Sequence, residues 1–272
     1  MNENVETPLT IEARDGYQVW SMNLAPVNAI GPELLTAFHN AILAVRNDES
    51  VAAVVLASDL RVFSAGADAT WMAGVVADVG AEGLLEIFNV TMDRFRMVCR
   101  ALRELPVLVV AAISGHALAG GLELAAACDL RFCSDDERTQ LGVPEMDLFG
   151  AMPTGGGGAQ FLARLLGPAR ALEFILEAKP ITPQQALTLG LVERLYPRDE
   201  VRAAAETFAA EVAAKAGRIG VSAAKRSIQV GAEMPLGAAL QLDQSVHWDA
   251  MRRGNFLPGV DAFVTKFGQS SK

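Results

Sequence analysis

Two short segments carry residues whose types and spacing suit catalysis at a carbonyl group. One is His116-Ala-Leu-Ala-Gly-Gly-Leu-Glu123, which follows an apolar run and places Gly120 and Gly121 where a helix would open. The first amides of a helix have no acceptor within it and point out of its positive end. Glycine there lets a ligand approach the backbone closely. Such amides stabilise charge developing on a carbonyl oxygen, and one lost donor typically costs about 3–4 kcal/mol of transition-state stabilisation. Glu123 lies three residues beyond Gly120, about one turn along, so an anion donor and a candidate base sit side by side. The other segment, Phe63-Ser-Ala-Gly-Ala-Asp68, also follows a buried-type strand and offers small residues with free amides, the second half of a two-donor cradle.

Each segment also has a plainer reading. Gly120 and Gly121 fit a tight helix–sheet contact, with Glu123 merely exposed in a first turn that favours acids. A phosphate loop fits less well. Gly115 and Gly120 have the right separation, but Gly121-Leu122 stands where Lys followed by Ser or Thr is required. The run Gly155 to Gly158 does not complete a dinucleotide-binding pattern, because Gln160 occupies its last position.

The elements that must position these residues are visible in the apolar periodicity. Asp15-Gly16 marks a turn, and Tyr17 to Leu24 alternates as a half-buried strand. Pro32 suits a first helical turn, and Glu33 to Arg46 has helical spacing. Then a loose unit recurs: a buried strand, a glycine-rich turn and a helix. Strand 51–57 leads to Ala65-Gly66-Ala67-Asp68, strand 106–113 leads to Gly120-Gly121, and segment 139–145 precedes the four glycines and a helix over 159–166. This is an α/β organisation, and the pattern leaves open both a spiral of repeated units and a doubly wound sheet. After about residue 195 strands cease. Helices are expected over 200–215, 219–230 and 235–253, with apolar faces that must fold back or pack on another subunit.

Composition narrows the function classes. The 272 residues are 51% hydrophobic but only 6% aromatic, which suits helices on largely buried strands. A net charge of −9 without basic clusters argues against nucleic-acid binding, which needs Lys and Arg to displace counterions. Cys99, Cys128 and Cys133 form no CxxC pair and have no histidine at metal-ligand spacing. Neither a disulfide framework nor a metal site is expected, and a reducing cytoplasm fits. Residues 1–10 lack a basic region followed by an apolar run, so no secretory signal is expected, and no apolar stretch is long enough for a membrane span.

Together, Ser64-Ala-Gly-Ala-Asp68 and Ser114-Gly-His-Ala-Leu-Ala-Gly-Gly-Leu-Glu-Leu-Ala-Ala-Ala-Cys-Asp129 resemble the crotonase family, the enoyl-CoA hydratase/isomerase superfamily. The likeness extends through Asn28-Ala29, Gly142-Val-Pro-Glu145, Pro180-Ile-Thr-Pro-Gln-Gln-Ala-Leu-Thr-Leu-Gly-Leu-Val-Glu193 and Asp261-Ala-Phe-Val-Thr-Lys266. The resemblance implies a spiral ββα core over 1–197 and a helical trimerisation region over 198–272, assembled as a homotrimer or a dimer of trimers. It maps an oxyanion hole onto the amides of Ala67 and Gly120. It implies an acyl-CoA substrate lying along Asn28, Ala29, Ala65, Gly66 and Asp68. The resemblance further implies a phosphate contact for Lys266, made to a neighbouring subunit's ligand, and a further pocket wall from Trp71 and the segment to Gly83. No separate cofactor is implied, since coenzyme A enters with the substrate.

Fold and oxyanion hole are shared by several chemistries, so the carboxylates must select the reaction. The hydratase-like branch has two facing glutamates, and Glu123 and Glu145 fill both positions. Two carboxyls suit addition of water to an α,β-unsaturated thioester, one accepting water's proton while a proton reaches Cα. The resemblance therefore implies enoyl-CoA hydration, with 3,2-enoyl-CoA isomerisation and a silent acyl-CoA-binding paralogue as alternatives. The stretches from Glu145 to Pro153 and from Pro153 to Gln160 are each one residue longer than is usual in the family, so Phe149 and one glycine look like additions. His116 is expected to pack rather than react, His39 and His247 to be surface or interface groups, and Phe88 to Met97 to be core.

Overall fold

The computed structural model describes residues 7–150 and 152–268; the reading of residues 1–6 lies outside them. Strands β1 (Leu9–Ala13) and β2 (Tyr17–Met22) pair antiparallel around the turn at Gly16, whose φ of +76° favours glycine. Helix α1 (Pro32–Asn47) follows, with its proline in the first turn as the sequence suggested. Strands β3 (Ala53–Ser58), β4 (Leu108–Ile113), β6 (Leu130–Ser134) and β8 (Arg194–Tyr196) then add parallel to β2 one after another.

The six-stranded order is β1-β2-β3-β4-β6-β8, with no reversal. A doubly wound sheet reverses its strand order at a switch point; this one advances in a single direction. The strands missing from the series, β5 (Ala117–Leu118) and β7 (Leu141–Gly142), pair in a second, two-stranded sheet. The chain thus alternates between two layers as it winds, which decides the alternative left open by pattern alone in favour of the spiral.

Isolated bridges extend the small layer. Ile30 pairs with Ala67, Ser64 with Ala117, and Leu141 with Ile181. Segments 63–67, 116–120 and 140–145 therefore run side by side, although they are far apart in sequence. Residues 53–57 of β3 are buried on both faces, as expected for a parallel strand covered by helices.

Several helices were not expected from the sequence. Helix α2 (Ala69–Arg103) spans a region expected only as pocket wall and core; it is interrupted at Gly80, where φ is +78°. Asp68 caps it by accepting a 2.9 Å bond from the Trp71 amide. Helix α10 (Phe256–Phe267) lies beyond the last expected helical stretch. The other helices are α3 (Gly120–Ala127), α4 (Glu145–Phe149), α5 (Gly158–Leu166), α6 (Pro168–Glu177), α7 (Pro183–Leu189), α8 (Val201–Lys225) and α9 (Leu236–Arg253).

Helix α8 is no free tail. Val201, Ala205 and Ala209 pack with Val19, Val55, Val110 and Phe132 to cover one face of the large sheet. Past a break at Gly217, Arg218 donates to the carbonyls of Arg46, Asp48 and Val51 at 2.7–2.9 Å, satisfying the end of α1 and the turn after it. Lys225 bonds Asp129 at 2.7 Å and the Val107 carbonyl at 2.9 Å, and a π-helical turn (Arg226–Val230) brings Gln229 onto the same carboxylate at 2.6 Å. Among the described residues no helix is long and apolar enough to cross a membrane.

Removing one member of a buried ion pair leaves the other charge without compensation. Lys225→Met is therefore expected to destabilise the protein by about 3 kcal/mol, read as a lower urea midpoint at unchanged slope. A midpoint equal to the parent's would show that this pair does not fasten the C-terminal helices.

Candidate active site

The side-by-side segments bring Ala67 and Gly120 to one space. Ile30 bonds the neighbours of Ala67, taking the Gly66 carbonyl at 2.7 Å and accepting from the Asp68 amide at 3.3 Å. In a parallel bridge of this kind the residue between, Ala67, turns its own N–H to the opposite side. Gly120 is the first residue of α3, so its amide has no acceptor within the helix. Ala119 before it has φ +51° and ψ −129°, a conformation that costs roughly 1–3 kcal/mol in a non-glycine residue. It is held there by a 2.8 Å bond from its amide to the Gly142 carbonyl. A Cβ on Gly66 would lie 2.6 Å from Cβ of Ala119 and 3.1 Å from the Gly120 nitrogen, and one on Gly121 would lie 2.3 Å from the Ser64 carbonyl. Glycine is thus what permits the two donor segments to touch.

Ala67 and Gly120 line a cavity of about 200 Å³ together with Ala65, Glu123 and Glu145. Both carboxylates are buried, at 1% and 3% exposure, which rules out the reading of Glu123 as a surface acid. The amide of Gly155 donates to Glu123 Oε1 at 3.1 Å, and those of Gly156 and Gly158 donate to Oε2 at 2.7 and 2.6 Å. Gly158 opens α5, so the carboxylate also sits at that helix's positive end. The four-glycine run, which does not complete a dinucleotide-binding pattern, does cradle an anion, and the anion is the protein's own side chain.

The second carboxylate is held differently. Glu145 is the first residue of α4, and its Oε2 has no hydrogen-bond partner. Burial, reinforced by the charge of Glu123, pushes its carboxyl up to about 7. Burial also raises Glu123, but the three glycine amides oppose it. Near neutral pH the arrangement favours an ionised Glu123 beside a Glu145 able to keep its proton.

Several residues expected at the site take other places. Asn28 is fully buried; its side chain accepts from the Leu24 amide at 2.8 Å and donates to Ser58 Oγ at 2.7 Å and the Phe63 carbonyl at 2.9 Å. It staples two loops and offers no side-chain atom to a ligand. Ala29 is half-buried beside Ile30, which does line the cavity. Gly66 is buried behind the lining, Asp68 is engaged as a cap, and Trp71 is half-buried outside the lining. Lys266 is exposed on α10 with its ammonium 5.2 Å from the Phe267 ring, away from the cavity lining of its own chain. Conversely, Phe88, Met92 and Phe95, read only as core, form one wall of the cavity. Their helical spacing was the available signal, but the sequence did not show which face met the glycines.

In a larger open groove of about 630 Å³ along α8, Arg202 is engaged by Asp59 at 2.8 Å and Glu206 at 3.1 Å. Among the described residues no cluster of His, Cys, Asp and Glu is placed to hold a metal ion.

Comparison with known proteins agrees with this architecture. A structure of an enoyl-CoA hydratase from Geobacillus kaustophilus superposes with a TM-score of 0.86 at 32% identity, covering 96% of this chain and 95% of that one. An enoyl-CoA hydratase from Bacillus anthracis gives 0.85 at 30% identity, covering 95% and 96%. These neighbours define a crotonase-fold protein. The family model described as enoyl-CoA hydratase/isomerase matches residues 17–270, and the chain belongs to that family. Among curated proteins, the fatty acid oxidation complex subunit alpha of Shewanella frigidimarina is 37% identical over 218 residues, 79% of this chain. The chain spans only 28% of that subunit's length.

The raised carboxyl of Glu145 gives stability a defined pH dependence. Its pKa in the folded state lies above its ordinary value, so the folded state binds more protons than the unfolded chain between pH 4.5 and about 7. Its contribution is therefore present at the acid end of that window and lost as pH rises through about 7, at up to about 1.4 kcal/mol per pH unit. Glu145→Gln should remove this component, seen by comparing urea midpoints of the two proteins from pH 5 to 8. Parallel pH curves for both would contradict the assignment.

Proposed function

We propose that the chain hydrates a 2-enoyl-CoA to a 3-hydroxyacyl-CoA. The observation carrying this reading is the asymmetric pair of buried carboxylates, one anchored by three amides and one unpartnered, in a cavity that also receives two free amides. Family membership supports the substrate class.

The thioester carbonyl oxygen would accept from the amides of Ala67 and Gly120, which favour the enolate over the ground state because charge grows on that oxygen. Glu123 Oε2 already accepts two bonds, whereas Oε1 accepts one and keeps an acceptor position for water. Glu123 takes a proton from that water as its oxygen bonds Cβ. The electron pair of the Cα–Cβ double bond moves toward the carbonyl, and neutral Glu145 gives its proton to Cα. Transfer of the acquired proton from Glu123 to Glu145 restores the starting state, and the net change is addition of one water. Coenzyme A arrives with the substrate, so the reading needs no resident cofactor.

The same reading extends to assembly. Leu236, Leu240 and Trp248 on α9 and Leu257 and Phe263 on α10 are largely exposed on the single chain. Their cover by further copies, as a trimer or a dimer of trimers, is part of the proposal.

Glu123→Gln and Glu145→Gln are each expected to lower turnover of a 2-enoyl-CoA at least about 100-fold, followed by loss of the conjugated thioester absorbance. In oxygen-18 water the parent enzyme should place the label in the product's 3-hydroxyl group. Near-normal turnover in both variants would sink the mechanism, and an unlabelled rearranged product would replace hydration by isomerisation.

A further inference from the structure

The apolar end of the cavity has two unlike walls. Helix α2 supplies Phe88, Met92 and Phe95, the last two buried at 7% and 2% exposure. This wall is fixed by the cradle above it. A Cβ on Gly155 would stand 2.5 Å from Met92 Sδ, and one on Gly156 would stand 2.2 Å from Phe95 Cε1. The glycine backbone therefore rests directly on these side chains, and moving them would move the amides that hold Glu123.

Helix α4 and the turn after it supply the other wall, through Leu148, Phe149 and Met152. Here Leu148 is 64% and Phe149 is 47% exposed. The turn passes through Gly150 at φ +65°, where an added Cβ would meet nothing within 4 Å. This wall can change without touching the cradle. It is also where the family resemblance marks Phe149 as an added residue.

The enclosed space is small. Sites that enclose a whole drug-sized ligand hold about 300–1,000 Å³, whereas this cavity holds about 200 Å³. A cavity below that range suits a thioester carbonyl followed by a short acyl chain.

We propose that Phe149, closing the cavity against Phe88, Met92 and Phe95, sets the acyl length, and that the enzyme's substrates are short-chain 2-enoyl thioesters of about four to six acyl carbons. The proposal rests on the hydratase reading for the identity of the ligand, but the wall it describes is independent of which glutamate does what.

The test is a panel of 2-enoyl-CoA esters of four, six, eight, ten and sixteen carbons. A methylene that does not fit an apolar pocket typically costs about 10-fold or more in kcat/KM. The parent enzyme should therefore lose at least about tenfold between the six- and ten-carbon esters. Phe149→Ala should raise the ratio of ten- to four-carbon kcat/KM at least about tenfold, and Leu148→Ala provides a second opening of the same wall if the first variant does not fold. Met92→Ala should instead lower kcat at every length, because it disturbs Gly155 and through it Glu123. A flat profile to sixteen carbons in the parent, or an unchanged ratio in the wall variants, overturns the proposal. If no ester of any length turns over, the hydratase reading fails separately. The length dependence is then read from calorimetric Kd values for saturated acyl-CoA esters of the same lengths, where equal affinity for butanoyl- and decanoyl-CoA refutes the short pocket.

Discussion

The carboxylate of Glu123 is bound by the backbone of a loop more than thirty residues away, through the amides of Gly155, Gly156 and Gly158. That contact imposes conditions in every direction. Gly158 has no room for a Cβ because Glu123 Cγ would stand 2.6 Å from it, and Gly156 has none because of Phe95. Phe95 in turn is positioned by α2, whose start is set by the Asp68 cap at the end of one donor segment. Glu123 itself comes from the helix that opens on the other donor. A buried carboxylate costs several kcal/mol unless its charge is met by directed hydrogen bonds. The loop, the long helix and the short helix are thus bound together by the need to solvate one charge without water.

The donor amides depend on a different constraint, the side-by-side running of short segments in the smaller layer. Leu118 donates to the Ser64 carbonyl at 3.0 Å and Ala119 to the Gly142 carbonyl at 2.8 Å, so the three loops that carry Ala67, Gly120 and Glu145 are registered mainly by backbone bonds. Backbone registration explains why the segments tolerate small, featureless side chains. It also explains the strain at Ala119, whose positive φ just before Gly120 is maintained by its bond to Gly142. Asn28 performs the equivalent task below, tying the Leu24 loop to residues 58–63 from a fully buried position.

Much of this was legible in the chain because glycine and acid spacing carry local meaning. Gly120 with Glu123 and the Ala65–Asp68 turn marked backbone donors beside a carboxylate, and strands 51–57 and 106–113 fell where β3 and β4 lie. Three features were not legible, each for a non-local reason. Asn28 looks like a ligand-contacting loop residue until its hydrogen-bond partners, thirty and more residues on, are known. Phe88, Met92 and Phe95 have the spacing of any buried helix face, and only packing against the glycines makes them a cavity wall. The glycine run was weighed against external phosphates because its true anion belongs to another segment. In each case the missing information is a contact between segments, which residue periodicity does not encode.

The two carboxylates show how equal burial yields unequal chemistry. Both lie in the same cavity and both are pushed upward by loss of water. Three amides aimed at one of them replace most of its hydration, while the other keeps an oxygen with no partner at all. Close carboxyl groups resist joint ionisation, so the better-solvated one holds the negative charge and thereby strengthens its neighbour's hold on a proton. The unequal hold of the two carboxyls on a proton therefore needs no difference in residue type. It follows from where the backbone of Gly155, Gly156 and Gly158 points.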